Sequence, residues 1–75
     1  MTGTFEAQLY VGSVSVVMWT PRRAVIWTGD WNLENISAAT KLARALNDAP
    51  LSVFAARHLP GIRKLAGKLM MEIQA

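Results

Sequence analysis

The last nineteen residues, RHLPGIRKLAGKLMMEIQA, hold Arg57, Arg63, Lys64 and Lys68 against one acid, Glu72. A row of cations like this one can track phosphates by releasing their counterions, or it can meet an acidic protein surface. A second grouping lies earlier, where Arg22 and Arg23 fall between Trp19 and Trp27, with Trp31 and Tyr10 near in sequence. Aromatic rings beside arginines can stack single-stranded bases. The same residue types also dominate the energetic centres of protein interfaces. No RNA-binding signature accompanies them, so the aromatic set reads first as a protein interface.

Catalysis finds less material. The single histidine, His58, falls among Leu51, Phe54 and Leu59, and a catalytic histidine needs a carboxylate or nucleophile placed beside it. Asp48 and Ser52 precede it at a spacing that encodes nothing. A small ribonuclease-type enzyme working through Arg, Lys and His without a motif is the weaker reading. The chain has no cysteine, which removes disulfides and thiolate metal sites, and one histidine cannot build an all-histidine site. Phosphate loops, helical zinc motifs and nucleophile elbows are likewise missing from the sequence. Neither a catalytic residue, a cofactor nor a metal is expected.

The elements that must position these residues change character along the chain. In TFEAQLYV, Phe5, Ala7, Leu9 and Val11 alternate with Glu6, Gln8 and Tyr10, the period of a half-buried strand. Gly12-Ser13 supplies a hairpin turn. SVSVVMW then sets Val14, Val16 and Met18 against Ser13, Ser15 and Val17, Pro21 marks a break, and AVIWT forms a third run. On strand parity, Trp19, Trp27, Val17 and Val25 share the face away from Val14, Val16, Met18 and Ile26. The expected interface is therefore Tyr10, Val17, Trp19, Val25, Trp27 and Trp31 on the outer sheet face.

From Leu33 to Asn47 the period becomes 3.6, with Ile36, Ala39, Leu42, Ala43 and Leu46 on one side. Asp30 or Asn32 can cap this helix, and Asp48-Ala49-Pro50 ends it. A helical period returns at Leu51, with Leu51, Phe54, Ala55 and His58 in phase with Ile62, Leu65, Ala66, Leu69 and Ile73. Leu59-Pro60-Gly61 reads as a sharp break in this stripe, favouring two helices over one kinked helix. A helix-turn-helix over 33–59 is disfavoured, because recognition helices aim polar residues at base edges and this one offers only Ser52 and Arg57.

The expected fold class is α+β: a three-stranded antiparallel meander over 1–28, then two or three helices over 33–75 packed on one sheet face, in one domain of 75 residues. Leu33, Ile36, Leu42, Leu46, Phe54, Leu65, Leu69 and Ile73 are the expected helical core. Half the chain is apolar (52%) and only 17% is charged, against about 25% in ordinary domains, so a domain this small leaves apolar surface over for association. Residues 1–50 sum to zero charge, so the whole net +3 lies in the last third. No secretion leader is visible and LYVGSVSVVMW is too short to span a bilayer, which makes the cytoplasm the expected location and a membrane role unexpected. The functional expectation is a small non-enzymatic interaction protein that docks on another protein or on itself as a homodimer. Its size would suit a phage-type or accessory regulator of a host protein. The alternative is a nucleic-acid-binding regulator using Arg22, Arg23, Arg57, Arg63, Lys64 and Lys68.

Overall fold

Period-two alternation draws the N-terminal part of the chain into strands, and the switch to period 3.6 draws the rest into helices. In the computed structural model, which describes residues 5–19, 23–49 and 58–75, three strands are followed by two helices. Strands β1 (Phe5–Tyr10), β2 (Ser13–Met18) and β3 (Ala24–Asp30) form one antiparallel sheet in the order β1-β2-β3. Helices α1 (Leu33–Asp48) and α2 (Leu59–Ile73) follow. The α+β meander with helices on one face is the expected one. Pro21, Arg22, Pro50, Leu51, Ser52, Phe54, Ala55 and Arg57 lie outside the described residues.

Tyr10 pairs with Ser13, so the hairpin loop is Val11-Gly12 and not Gly12-Ser13. Gly12 has φ +86°, and no other residue type takes a positive φ among the described residues. A negative φ followed by a positive one is the pattern of a type II turn, which favours glycine at its second central position. This one-residue offset takes Val11 out of the strand and leaves it fully exposed.

The β1–β2 register runs unbroken from Phe5 opposite Met18 to Tyr10 opposite Ser13. Between β2 and β3 it breaks. Val16 pairs with Trp27 and Val17 with Val25, so Ile26 is the extra residue of a β-bulge. The bulge resets the alternation. Ile26 is buried in the core and Trp27 packs against that same core.

Asn32 caps α1: its side-chain oxygen accepts from the Asn35 amide at 2.7 Å. Asp30 is not the cap, and its carbonyl instead accepts from Asn35 Nδ2 at 2.9 Å. The helix lies over β1 and β2 and buries Ala38, Ala39, Leu42, Ala43 and Leu46. Three alanines in that face bring the helix axis close to the sheet. Burying a leucine such as Leu42 contributes about 1.5–3 kcal/mol.

Helix α2 lies over β3 and beside α1. Its N-cap is His58, with non-helical φ −104° and ψ 88°, whose Nδ1 accepts from the Gly61 amide at 3.3 Å. The expected break at Leu59-Pro60-Gly61 is therefore displaced. Those three residues are the first turn of α2, where proline's missing N–H costs nothing. A single kinked helix through His58 is excluded by the same geometry, and His58 is an exposed cap, not a member of the apolar stripe. Ile62, Ala66 and Met70 are buried, flanked by the half-buried Leu65, Leu69 and Ile73. At the far end Gln74 Nε2 donates to Asn35 Oδ1 at 3.1 Å, tying the end of α2 to the start of α1, so the helices run antiparallel.

Leu33, expected in the helical core, and Leu9, on the apolar face of the first strand, are both exposed. Leu33 is 85% exposed, because it is the first residue of α1 and precedes the turn that meets the sheet. Leu9 is 52% exposed, at the open end of an edge strand. Leu42 and Leu46 are fully buried as expected, with Ile36 packed against the cluster. No helix among the described residues is long and apolar enough to cross a membrane.

Candidate functional site

The outer sheet face was the expected interface, and Arg23 decides how much of it is open. This residue immediately precedes β3. Its Nη2 donates to Gln8 Oε1 at 3.1 Å and to the Tyr10 hydroxyl, both on β1. The Tyr10 hydroxyl in turn donates to Gln8 Oε1. Since β2 separates β3 from β1, the arginine side chain crosses the central strand to reach them. Its guanidinium carbon lies 6.0 Å from the Tyr10 ring centroid and 5.8 Å from that of Trp19, within cation–π range. Beneath this layer Ser15 is buried, its hydroxyl donating to Thr28 Oγ1 at 3.1 Å. Val17, paired with Glu6 on one side and Val25 on the other, has 0% exposure although it lies outside the main core.

The six residues expected to form one interface therefore separate. Trp19, Val25, Tyr10 and Trp31 are exposed. Val17 is buried and offers nothing to a partner. Trp27 lies on the opposite, helix-bearing side. A Cβ placed on Gly29 would come 2.7 Å from Trp27 Cη2, so the indole is seated over that glycine. The bulge at Ile26 is the reason parity misplaced it.

Tyr10 and Trp31 are joined by residues that strand alternation had assigned to the buried face. Leu9, Tyr10, Val11, Gly12 and Trp31 line one shallow, mostly apolar hollow of about 440 Å³ at the hairpin end of the sheet. Leu9 and Val11 are the functional candidates that sequence reasoning missed. The signal was present in Val11-Gly12, a valine forced outward by a two-residue turn.

The sheet edges complete the site. Asn47, on α1, accepts from the Phe5 amide at 2.9 Å and donates Nδ2 to the Phe5 carbonyl at 3.0 Å. Both backbone groups of Phe5 therefore point away from β2. Backbone direction alternates along a strand, so Ala7 and Leu9 point theirs to the same free side. On the other edge Arg63 Nε donates to the Val25 carbonyl at 3.1 Å, beside the bulge. Side chains and bulges of this kind are how native sheets blunt their edges. Here β3 is blunted at its bulge, and among the described residues β1 is blunted only at Phe5.

The basic row is thinned by the same contact. Arg63 is committed to a strand carbonyl, and Arg22 and Arg57 fall outside the described residues. Lys64 and Lys68 remain exposed on the outer side of α2. No group of three or more His, Cys, Asp or Glu among the described residues could hold a metal ion. Between the helices, Glu34, Ser37, Lys41, Ile73 and Gln74 line a smaller groove of about 240 Å³. No family model, curated protein or solved structure matches this chain.

Proposed function

We propose that the chain is a protein-docking module whose contact surface is the hairpin end of its sheet, with Leu9, Tyr10, Val11 and Trp31 as its centre. One observation carries this reading: four exposed apolar or aromatic side chains converge on a single hollow next to an open strand edge. Contiguous apolar surface of this kind marks interaction sites in small domains, and tyrosine and tryptophan are its most effective anchors. The composition agrees, with half the residues apolar and few charges to cover them.

The test is association of the purified, tagged chain with and without Val11→Asp plus Trp31→Ala. Both positions are exposed, so the far-UV circular dichroism should stay unchanged. The expected result is a defined protein complex, self-association included, that survives nuclease and disappears in the double variant. Assembly that persists in the variant overturns the proposal. Retention of nucleic acid that is lost in Lys64→Glu with Lys68→Glu would instead move function to α2.

A further inference from the structure

We infer that the occupant of this surface is a second copy of the same chain, added antiparallel along the free edge of β1 to make a continuous six-stranded sheet. The inference rests on the docking reading and names its partner. Its first support is the direction of the backbone. The pair of hydrogen bonds from Asn47 shows which side Phe5 faces, so the N–H and C=O of Ala7 and Leu9 form a row on that side that is open among the described residues. An open row of this sort is a template for another strand.

The second support is register. A two-fold axis centred on Leu9 sets Leu9 opposite the partner's Leu9 and Ala7 opposite the partner's Val11. This pairing stops short of Phe5 and leaves the Asn47 clamp intact. An axis centred on Gln8 would bring the partner's Val11 onto Phe5, whose two groups Asn47 already occupies. The clamp therefore selects the register.

The third support is what that register brings together. On the helix side, the half-exposed Leu9 meets its own copy and the fully exposed Val11 covers Ala7. On the other side, Tyr10 lies opposite the partner's Gln8. The only charged residue of the strand, Glu6, faces the partner's Gly12, so no like charges of the strand itself oppose each other, and each Arg23 near the axis stays bonded to its own Gln8 and Tyr10. A two-fold contact also uses each of these side chains twice, the usual economy of a homodimer. The β3 edge cannot serve in the same way, because Arg63 holds the Val25 carbonyl and the bulge interrupts the row.

The absence of cysteine from the chain makes the test direct. Directly opposed, hydrogen-bonded residues in an antiparallel pair have Cα atoms about 5.5 Å apart, inside the roughly 4.4–6.8 Å range of disulfides. Mild oxidation of Leu9→Cys should therefore give a covalent dimer much faster than Lys64→Cys, on α2. Light scattering of the unmodified chain from about 1 µM to about 1 mM should show the mass rising to twice 8.2 kDa. Leu9→Lys should hold it at the monomer mass with unchanged circular dichroism. A monomer across the whole series overturns the inference. So does a dimer in which Leu9→Cys crosslinks no faster than Lys64→Cys. If the chain is monomeric yet a complex with a different protein still depends on Val11 and Trp31, self-pairing falls and the docking reading stands.

Discussion

Replacing Gly29 by alanine is the sharpest check on where the structure puts Trp27. The backbone of Gly29 is not in the positive-φ region, so alanine is sterically allowed there as far as its own strand is concerned. By chain entropy alone, Gly→Ala at a compatible position stabilises by about 0.4–1 kcal/mol. The surroundings reverse that sign. The new methyl would lie 2.7 Å from Trp27 Cη2, 3.0 Å from Cζ2 and 2.9 Å from Asn35 Nδ2. Carbon pairs sit best near 3.5–4.0 Å, so the overlap is roughly 1 Å. Neither neighbour yields cheaply: the indole is a rigid ring packed on the core, and Asn35 bonds both Asp30 and Gln74. Overpacking of this kind costs about 1–3 kcal/mol. A net loss of about 1–2 kcal/mol follows, or a fall in Tm of roughly 5–15 °C for a domain of this size. Thermal unfolding followed by circular dichroism, at fixed protein concentration, measures it. In a Trp27→Leu background the ring tip is gone and its share of the penalty should vanish while that of Asn35 remains, giving a coupling of about 0.5–3 kcal/mol. A Gly29→Ala protein as stable as the unmodified chain would refute the seating of Trp27 on the helix side.

Other perturbations follow from the same contacts. Asn47→Ala removes both bonds to Phe5 and should cost about 1–2 kcal/mol in urea denaturation, with faster amide exchange at Phe5. Asn32→Ala removes the cap of α1 and should cost about 1 kcal/mol, read as a lower urea midpoint. Leu42→Ala empties the centre of the core and should cost about 2–5 kcal/mol. Trp31→Ala, at an exposed position, should leave stability within about 0.5 kcal/mol while it weakens association.

The sheet order, the position of α1 and its buried face were legible because each rests on a local period and a local stop. Leu42 and Leu46 needed nothing more than the 3.6 repeat, and Asn32 was one of two caps the sequence offered, beside Asp30. What escaped was set by relations between segments. The bulge at Ile26 depends on how β3 meets β2 and has no mark within AVIWT itself, so Trp27 was put on the wrong face. His58 looked like part of a stripe because apolar spacing does not register backbone angles. Asn47 read as the tail of a helix, and its role in holding Phe5, 42 positions away, needed coordinates. Leu9 and Val11 were misread differently: their alternation is real, but the face it defines runs past the end of the helix layer. Of the candidate site, Tyr10 and Trp31 stand out in the sequence, and the residues joining them do not.

Three of the clamps that connect distant parts of this fold are uncharged, unlike those made by Arg23 and Arg63. Asn47 holds Phe5, and Gln74 holds Asn35, which holds Asp30, all through neutral amides. Raising ionic strength from 0.01 M to 1 M shortens the screening distance from about 30 Å to about 3 Å and leaves such bonds as they were. Two copies that each carry a net charge of +3 do respond, because their mutual repulsion fades. Salt therefore acts on these amide clamps and on pairing through different terms, with the clamps indifferent and the pairing strengthened, opposite in sign to the release of a phosphate-bound ligand.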